Sequence, residues 1–242
     1  FKVPDLRKKI VLTLGLIAVF RIGTYIPTPG IDGTALAQFF ENISRTTGGT
    51  LFGIMNLFSG GAMEKLTIFD LGIMPYISSS IIMQLLTTVI PHLEHLAKEG
   101  GEEGRKKITQ YTRYGTIVLA IIQSFFISLW LENPANFQGV QMVQYPGWGF
   151  RLLTVLTLAS GTAFIMWLGE QITEYGIGNG MSLLITAGII SRLPTAANQL
   201  VVLTAQKQID MFRILLMAVI MVGVIVAVVI ITQGQRLSLI HI

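Results

Sequence analysis

Two short groups of residues combine types and spacings that could support chemistry. His92, Glu94 and His95 bring together two imidazoles and a carboxylate, and such a set can hold a metal ion. They follow Pro91 at the end of an apolar block, where an ordinary polar cluster at a membrane surface is the simpler interpretation. The glycine-rich stretch 176–180 could cradle a phosphate, but neither Lys-Ser nor Lys-Thr follows it. Its spacing therefore favours a tight turn before a helix.

The sequence signatures of soluble enzymes are missing from the chain. It contains no G-x-x-x-x-G-K-[ST] phosphate loop, no G-x-S-x-G nucleophile turn, no H-E-x-x-H zinc motif and no pair of carboxylates inside an apolar block. Cysteine is absent, which excludes disulfides and thiolate-bound metals. The sequence therefore predicts neither an enzyme nor a cofactor-binding protein.

The composition is typical of a membrane protein. Aliphatic and aromatic residues make up 52% of the chain and charged residues 12%, which is about half of the roughly 25% found in soluble domains. The mean hydropathy is +0.65. The net charge of +4 could suggest a nucleic-acid partner, but the basic residues lie between apolar blocks, where they set membrane topology. The bilayer is therefore the predicted solvent.

Six apolar blocks are candidates for membrane-spanning helices, which need about 20 residues to cross the hydrocarbon core. They cover residues 10–26, 71–90, 115–131, 152–169, 177–191 and 211–232. Segment 27–66 is too polar and too rich in glycine to span, although residues 51–58 within it are mostly apolar. A short, glycine-interrupted element beside a full span is typical of a re-entrant segment. The predicted fold is an all-α, polytopic transmembrane helix bundle.

Lysine and arginine are enriched on one side of these blocks, and this bias predicts that the N-terminus lies in the cytosol. The run Lys98–Lys107 then lies in a cytosolic loop. That loop is either solvated chain that fixes the topology or a docking surface for a cytosolic partner.

Two polar side chains and a pair of isoleucines lie within or beside the predicted spans. Gln123 lies in the middle of a span, so its amide is expected to face another helix or a wet cavity. Asp70 is expected to be a charge at the N-terminal end of the second helix, where the helix dipole favours it. Ile73 and Ile77, four residues apart, share one face of that helix, and their pattern alone indicates plain packing.

Two long motifs resemble the SecY family of protein-translocation channel subunits. The first consists of Phe58-Ser59-Gly60-Gly61-Ala62, residues 68–77 (IFDLGIMPYI) and residues 80–86 (SIIMQLL); the second is residues 167–185 (WLGEQITEYGIGNGMSLLI). Residues 99–114, which end in Gln-Tyr-Thr-Arg-Tyr, are similar to the family's loop after its second helix. The likeness extends from near Phe1 to about Arg236. Two features depart from the family pattern: Asp70 replaces a small neutral residue, and the tail 237–242 is atypical.

The resemblance implies a channel of ten helices in two inverted halves, of which this chain is expected to supply six. Residues 1–191 would form the N-terminal half, and residues 192–236 an external loop and the sixth span. A re-entrant plug is implied at about 51–64, with Phe58, Ser59, Gly60 and Gly61 at its centre. The implied apolar pore ring contains Ile73, Ile77, Met181 and Ile185. Ser78 and Gln123 match polar positions of a lateral gate.

The resemblance also implies a function and a set of partners. Unfolded secretory chains would cross the bacterial inner membrane through such a channel, and membrane segments would leave it sideways into lipid. The implied partners are SecE, SecG, the SecA ATPase or the ribosome, preproteins with signal sequences and membrane lipid, with nucleic-acid contact limited to ribosomal RNA. Arg105, Lys106, Lys107 and Arg113 would contact the cytosolic partner. The six-helix chain alone is not expected to conduct, because it has one wall of the gate.

Two other functions compete with this interpretation. A transporter of small solutes would also use broken helices, but it needs several polar or charged groups near the bilayer midplane, and the sequence offers Gln123 alone. An intramembrane enzyme would need a catalytic dyad or paired carboxylates, which the apolar blocks lack.

Overall fold

The computed structural model describes residues 4–36, 66–98, 100–137, 141–191 and 211–239, together with 193–194, 197–198 and 204. The α-helices within these ranges are α1 (Pro4–Gly23), α2 (Met74–Val89), α3 (Pro91–Lys98), α4 (Gly101–Glu132), α5 (Trp148–Tyr175), α6 (Gly180–Ile190) and α7 (Met211–Leu239), with a 3-10 helix at Pro134–Phe137. Extended pairing among the described residues is limited to two isolated bridges, Pro27–Thr67 and Ile31–Val143. The all-α prediction is confirmed.

The chain forms two compact units, residues 1–192 and 193–242. In the first unit α4 packs against α2, α3 and α5, and α5 also contacts α1 and α6. The second unit contains α7, in which residues 215–233 have exposed side chains and a mean hydropathy of 3.2. A helix that is apolar on every side is suited to lipid.

By length and composition, three of the described helices can cross a bilayer: α4, α5 and residues 215–233 of α7. The bent pair α2 and α3 makes a fourth if it is counted as one span. The sequence predicted six spans, and the difference has two physical causes. Asp5, Arg7, Lys8 and Lys9 occupy the first turns of α1 and shorten its apolar part. The helix α6 has only 11 residues, or about 16 Å of rise against a hydrocarbon core of about 30 Å.

The prediction that residues 98–107 form a loop is wrong, because most of this segment is helical. Helix α3 ends at Lys98 and α4 begins at Gly101, with acidic residues in the first turn of α4, where the helix dipole favours them. The α3–α4 connection is tight, since a Cβ on Gly104 would overlap the carbonyl oxygen of Leu96. The basic residues 105–107 therefore project from a helix rather than from a flexible loop.

A proline sets the sharp bend between α2 and α3. The two helices meet at an angle of 101°. Pro91 has no N–H to continue the α2 ladder, and it restricts Ile90 to an extended conformation with φ −96° and ψ 113°. Helix α3 therefore turns away from α2 at the end of the predicted second span.

Small residues bring α4 close to its neighbours. Its buried face repeats every fourth residue: Thr112, Thr116, Ala120, Ser124 and Ser128. The hydroxyl groups of this stripe donate to carbonyl oxygens of the same helix, so they need no partner from α2 or α5. Across the stripe, Ser79 of α2 donates from its Oγ to the carbonyl oxygen of Thr112 at 2.8 Å.

Asp70 does not occupy the position that the sequence predicted. Helix α2 begins at Met74 with Ile73 in the N-cap position, and its first turn contains no acidic residue. Asp70 lies in the preceding turn and is 7% exposed. Its Oδ1 atom has no hydrogen-bond partner among the described residues. The apolar pattern placed the start of the helix too early, because residues 66–73 form a turn that packs on α5.

Candidate functional site

The four residues predicted to form a ring meet in one apolar cluster, hereafter the first cluster. Ile73 and Met181 are buried in it, at 7% and 8% exposure, and Ile77 and Ile185 pack against it while half-buried. The other buried members are Phe20, Phe69, Ile165, Met166, Leu168, Ile172 and Leu184. The cluster therefore joins α2 and α6 to α1 and α5.

The turn at residues 66–73 positions the first pair of these residues. It is closed by backbone hydrogen bonds from Asp70 N to Thr67 O and from Gly72 N to Phe69 O, both 2.9 Å. Gly72 has a φ of 53°, which favours glycine. A Cβ on Gly161 of α5 would overlap the carbonyl oxygen of Ile68. The turn thus lies directly on α5 and fixes where α2, with Ile73 and Ile77, begins.

An aromatic stack secures the same turn on its other side. The ring of Phe69 stacks against Phe20 of α1 with centroids 5.9 Å apart, and against Phe164 of α5 with centroids 6.0 Å apart. Such pairs add about 0.5–1.5 kcal/mol each beyond their buried area. The ring lies over Gly23, where a Cβ would collide with it.

The glycine-rich stretch 176–180 is the tight turn that the spacing predicted. It joins α5 to α6, and Gly178 has a φ of 71°. Asn179 caps α6 by accepting a hydrogen bond at its Oδ1 from Ser182 N at 3.1 Å. The two helices touch at glycines: a Cβ on Gly169 would lie 2.5 Å from the sulfur of Met181, and a Cβ on Gly180 would overlap the carbonyl oxygen of Gly169.

Two threonines that the sequence analysis missed hold this turn in place. Thr13 of α1 accepts a hydrogen bond at its Oγ1 from Ile177 N at 3.2 Å, and Thr173 accepts one from Gly180 N at 2.8 Å. Thr13 and Ile177 are 164 positions apart, so no local pattern could pair them. For the hydrogen bond from Gly180 N to Thr173, the only signal in the sequence is that the two residues are seven positions apart.

The two residues predicted for a lateral gate do not form a hydrogen bond with each other. Ser78 of α2 and Gln123 of α4 are both half-buried, and neither side chain makes a hydrogen bond to another described residue. The bond between α2 and α4 comes instead from the neighbouring Ser79, which is 3% exposed. Its hydroxyl lies 2.5 Å from the position that a Cβ on Gly115 would take.

The four basic residues predicted to meet a cytosolic partner divide into two kinds. Arg105, Lys106 and Lys107 are exposed on α4 and form no salt bridge with any residue in the described ranges. Arg113 pairs through its Nε with Oε1 of Glu170 on α5 at 2.5 Å. Arg113 is therefore engaged within the chain.

The predictions of a plug and of a metal site remain. The plug residues Phe58, Ser59, Gly60 and Gly61 lie outside the described residues. His92 and His95 lie on α3, where Glu94 pairs with Lys98 at 2.6 Å rather than facing a metal site. No group of three potential metal-binding side chains occurs in the part of the chain that the structure describes.

A comparison with family models matches residues 67–241 to the model described as SecY. Among curated proteins, the chain is 49% identical over 232 residues to "Protein translocase subunit SecY" of Buchnera aphidicola subsp. Acyrthosiphon kondoi, with 96% of this chain and 63% of that protein covered. It is 48% identical over 232 residues to the protein of the same name from Escherichia coli K12, with 96% of this chain and 51% of that protein covered. The chain thus spans only about half to two thirds of these relatives.

Solved structures show the same fold. One is described as Sec61 in the canine ribosome-channel complex from the endoplasmic reticulum; it aligns with a TM-score of 0.54 and 19% identity over 77% of this chain and 37% of that chain. A structure described as a protein conducting channel gives the same values. The multi-pass helical architecture agrees with these neighbours, and the match of the family model over most of the chain places it in the SecY family.

Proposed function

We propose that this chain forms the central part of a protein-conducting channel, through which unfolded secretory chains cross the membrane and membrane segments enter lipid. The observation that supports the proposal is the first cluster, in which Ile73 and Ile77 of one motif meet Met181 and Ile185 of another. Membership of the SecY family gives this meeting point its functional interpretation.

An apolar ring suits a channel that must pass many sequences without leaking ions. A narrow apolar constriction excludes water and ions by dewetting, without a charged filter. The unbranched thioether of Met181 adapts to varied shapes. Ile77 and Ile185 keep part of their surface exposed, so a passing chain could contact them without unfolding the cluster.

The gate and plug assignments are part of the same proposal. Ser78 and Gln123 are half-buried without a hydrogen bond to another described residue, which leaves both available to helices of the other half of a complete channel. Polar pairs between helices in membranes contribute about 0.6–2 kcal/mol, enough to bias a gate without locking it. Residues 51–64, with Phe58 to Gly61 at their centre, would close the resting pore as a plug.

The partners and the membrane follow from the same reasoning. We propose that the chain works with SecE and SecG in the bacterial cytoplasmic membrane, with its N-terminus in the cytosol. SecA or the ribosome would supply the driving force, since the sequence carries no nucleotide-binding signature. The exposed basic residues Arg105, Lys106 and Lys107 on α4 are the surface proposed for that partner.

The test uses a chimaera in which this chain replaces the matching part of the Escherichia coli relative. Ile73→Gly together with Ile77→Gly should raise the resting ion conductance of the chimaera in planar bilayers, because the constriction loses two of its apolar side chains. Ile81→Gly with Leu85→Gly is the control: these residues have the same four-residue spacing and lie within α2, which Ile73 precedes as the N-cap, and they are 51% and 62% exposed.

The control pair should leave the conductance at the level of the unmodified chimaera. Equal leakage from both pairs would mean that glycine merely weakens α2. An unchanged conductance in the first pair, with normal membrane insertion, would contradict the sealing role of Ile73 and Ile77.

A further inference from the structure

An ion pair joins α4 to α5 close to the first cluster. Nε of Arg113 and Oε1 of Glu170 are 2.5 Å apart, and the two side chains are 46% and 23% exposed. Tyr76 of α2 and Thr112, the residue before Arg113, line one cavity. Tyr76 lies between Ile73 and Ile77 in the sequence and packs against the first cluster. The pair therefore joins α4 to α5 at residues that neighbour contacts with α2 and α6.

Arg113 is next in sequence to a residue that forms a hydrogen bond with α2. The neighbouring Thr112 is buried, and its carbonyl oxygen accepts the hydrogen bond from Ser79. Arg113 thus follows directly after the residue that fixes α2 to α4.

Glu170 is next in sequence to residues of α5 that contact α6. The preceding residue, Gly169, lies against Met181, and its carbonyl oxygen lies against Gly180. Ile172, two residues later, is fully buried in the first cluster, and Thr173 accepts the hydrogen bond from Gly180 N. Glu170 is therefore part of the stretch of α5 against which α6 is built.

A cavity with polar and apolar walls lies beside Tyr76. It has a volume of about 230 Å³ and lies between α2, α3 and α4. Its lining includes Tyr76, Ser80, Gln84, Thr109 and Thr112. Hydroxyl and amide walls of this kind can be hydrated. The ion pair itself is partly hydrated, since its side chains are 46% and 23% exposed, and such a pair can separate and re-form more readily than one enclosed in an apolar core.

We propose that the Arg113–Glu170 pair is a positioning pair, which sets the separation of α2 from α6 and thereby how tightly the four apolar ring residues close. The pair differs from an isolated surface salt bridge because its two residues are neighbours in sequence of the residues that contact the two ring-bearing helices. The assignment rests on the proposed channel function for its meaning, but its geometry can be tested without any transport.

The test measures cysteine labelling in the chain itself, purified in detergent. The sequence has no cysteine, so Ile73→Cys creates a unique thiol at a position that is 7% exposed. Adding Glu170→Gln should raise the labelling rate with a maleimide about five-fold, the ratio expected when an ion pair of ordinary strength stops biasing an opening equilibrium. The charge-swapped double variant Arg113→Glu with Glu170→Arg should restore the slow rate.

Two controls separate positioning from general loosening. Glu94→Gln breaks the exposed pair with Lys98 on α3 and should leave the labelling rate of Ile73→Cys unchanged. Leu85→Cys, at a residue that is 62% exposed, should be labelled at the same rate with and without Glu170→Gln. An unchanged rate at position 73, or a charge swap that fails to restore it, would overturn the proposal.

The same variants distinguish this proposal from the proposed function. In the chimaera, Glu170→Gln should raise the resting conductance and the charge swap should lower it again. If Ile73→Gly with Ile77→Gly leaks but Glu170→Gln does not, the positioning role is refuted and the channel function stands. If labelling responds to the pair but neither variant leaks, the positioning role stands and the sealing function is refuted.

Discussion

The ion pair between the end of α4 and the start of α5 should be among the largest polar contributions to the stability of the bundle. The carboxylate of Glu132 accepts hydrogen bonds from Arg151 Nε and from Gly147 N, both at 2.8 Å, and forms an ion pair with Arg151 Nη2 at 2.7 Å. The guanidinium of Arg151 also lies 5.3 Å from the ring centroid of Trp148. Glu132→Ala would remove all three contacts at once.

The cost of this substitution can be estimated from the burial of the pair. The side chains of Glu132 and Arg151 are 9% and 27% exposed. Removing one partner of a fully buried pair costs about 3–5 kcal/mol, because the other charge remains without compensation. Water reaches part of Arg151, so we expect Glu132→Ala to lower the free energy of unfolding by about 2–3 kcal/mol. For a chain of this length that corresponds to a decrease in Tm of roughly 4–12 °C.

The assay is thermal unfolding in one detergent at a fixed scan rate, followed by far-ultraviolet circular dichroism. The matched control is Glu94→Ala, which also replaces a helical glutamate of an ion pair; the glutamate and lysine side chains there are 44% and 73% exposed. Exposed pairs of that kind often contribute nothing measurable, so the control should keep the Tm of the unmodified chain. Equal shifts for Glu132→Ala and Glu94→Ala would refute the reasoning from burial.

Two further predictions concern close packing and pH. Gly161→Ala should lower the Tm, because its Cβ would overlap the carbonyl oxygen of Ile68. The control is Gly149→Ala in the same helix, whose Cβ meets no atom within 4 Å and should leave the Tm unchanged. Equal Tm values for the two variants would contradict the close contact. Hydrogen bonds from the Thr34 side chain, Ala35 N and Thr34 N lower the pKa of Asp32 below its ordinary 3.8. The stability that this carboxylate adds should therefore be present above about pH 3.8 and lost as the pH falls through the lower pKa. Asp32→Asn should flatten the acid limb of a Tm–pH curve. An acid limb identical to that of the unmodified chain would contradict this prediction.

The sequence predicted those parts of the fold that depend on local composition. Long apolar runs gave α4, α5 and α7, since a lipid-embedded helix needs little besides length and hydrophobicity. Glycines at a fixed spacing gave the turn between α5 and α6. The ring residues Ile73, Ile77, Met181 and Ile185 came from the family resemblance, and the structure brings them into one cluster.

Other parts of the fold depend on contacts between residues distant in the sequence, and the sequence did not predict these. The beginning of α2 at Met74 depends on a turn that packs on Gly161, almost 90 residues later. Thr13 could not be assigned to Ile177, nor Arg113 to Glu170, because hydroxyl and charged groups have many candidate partners in a chain of this length. Asp70 shows the same limit: its place before an apolar run indicated a helix terminus, but the folded turn buries it.

These distant contacts converge on α5, which would hold the proposed ring residues in place. Along α5, Gly161 contacts the turn that precedes α2, Gly169 contacts Met181 of α6, and Glu170 forms an ion pair with Arg113 of α4. Each of these contacts fixes a neighbouring helix relative to the same backbone. We therefore expect the spacing between Ile73 and Ile77 on one side and Met181 and Ile185 on the other to depend on α5. Substitutions at small or charged positions of α5 should accordingly change the closure of the ring more than conservative exchanges among the ring residues themselves.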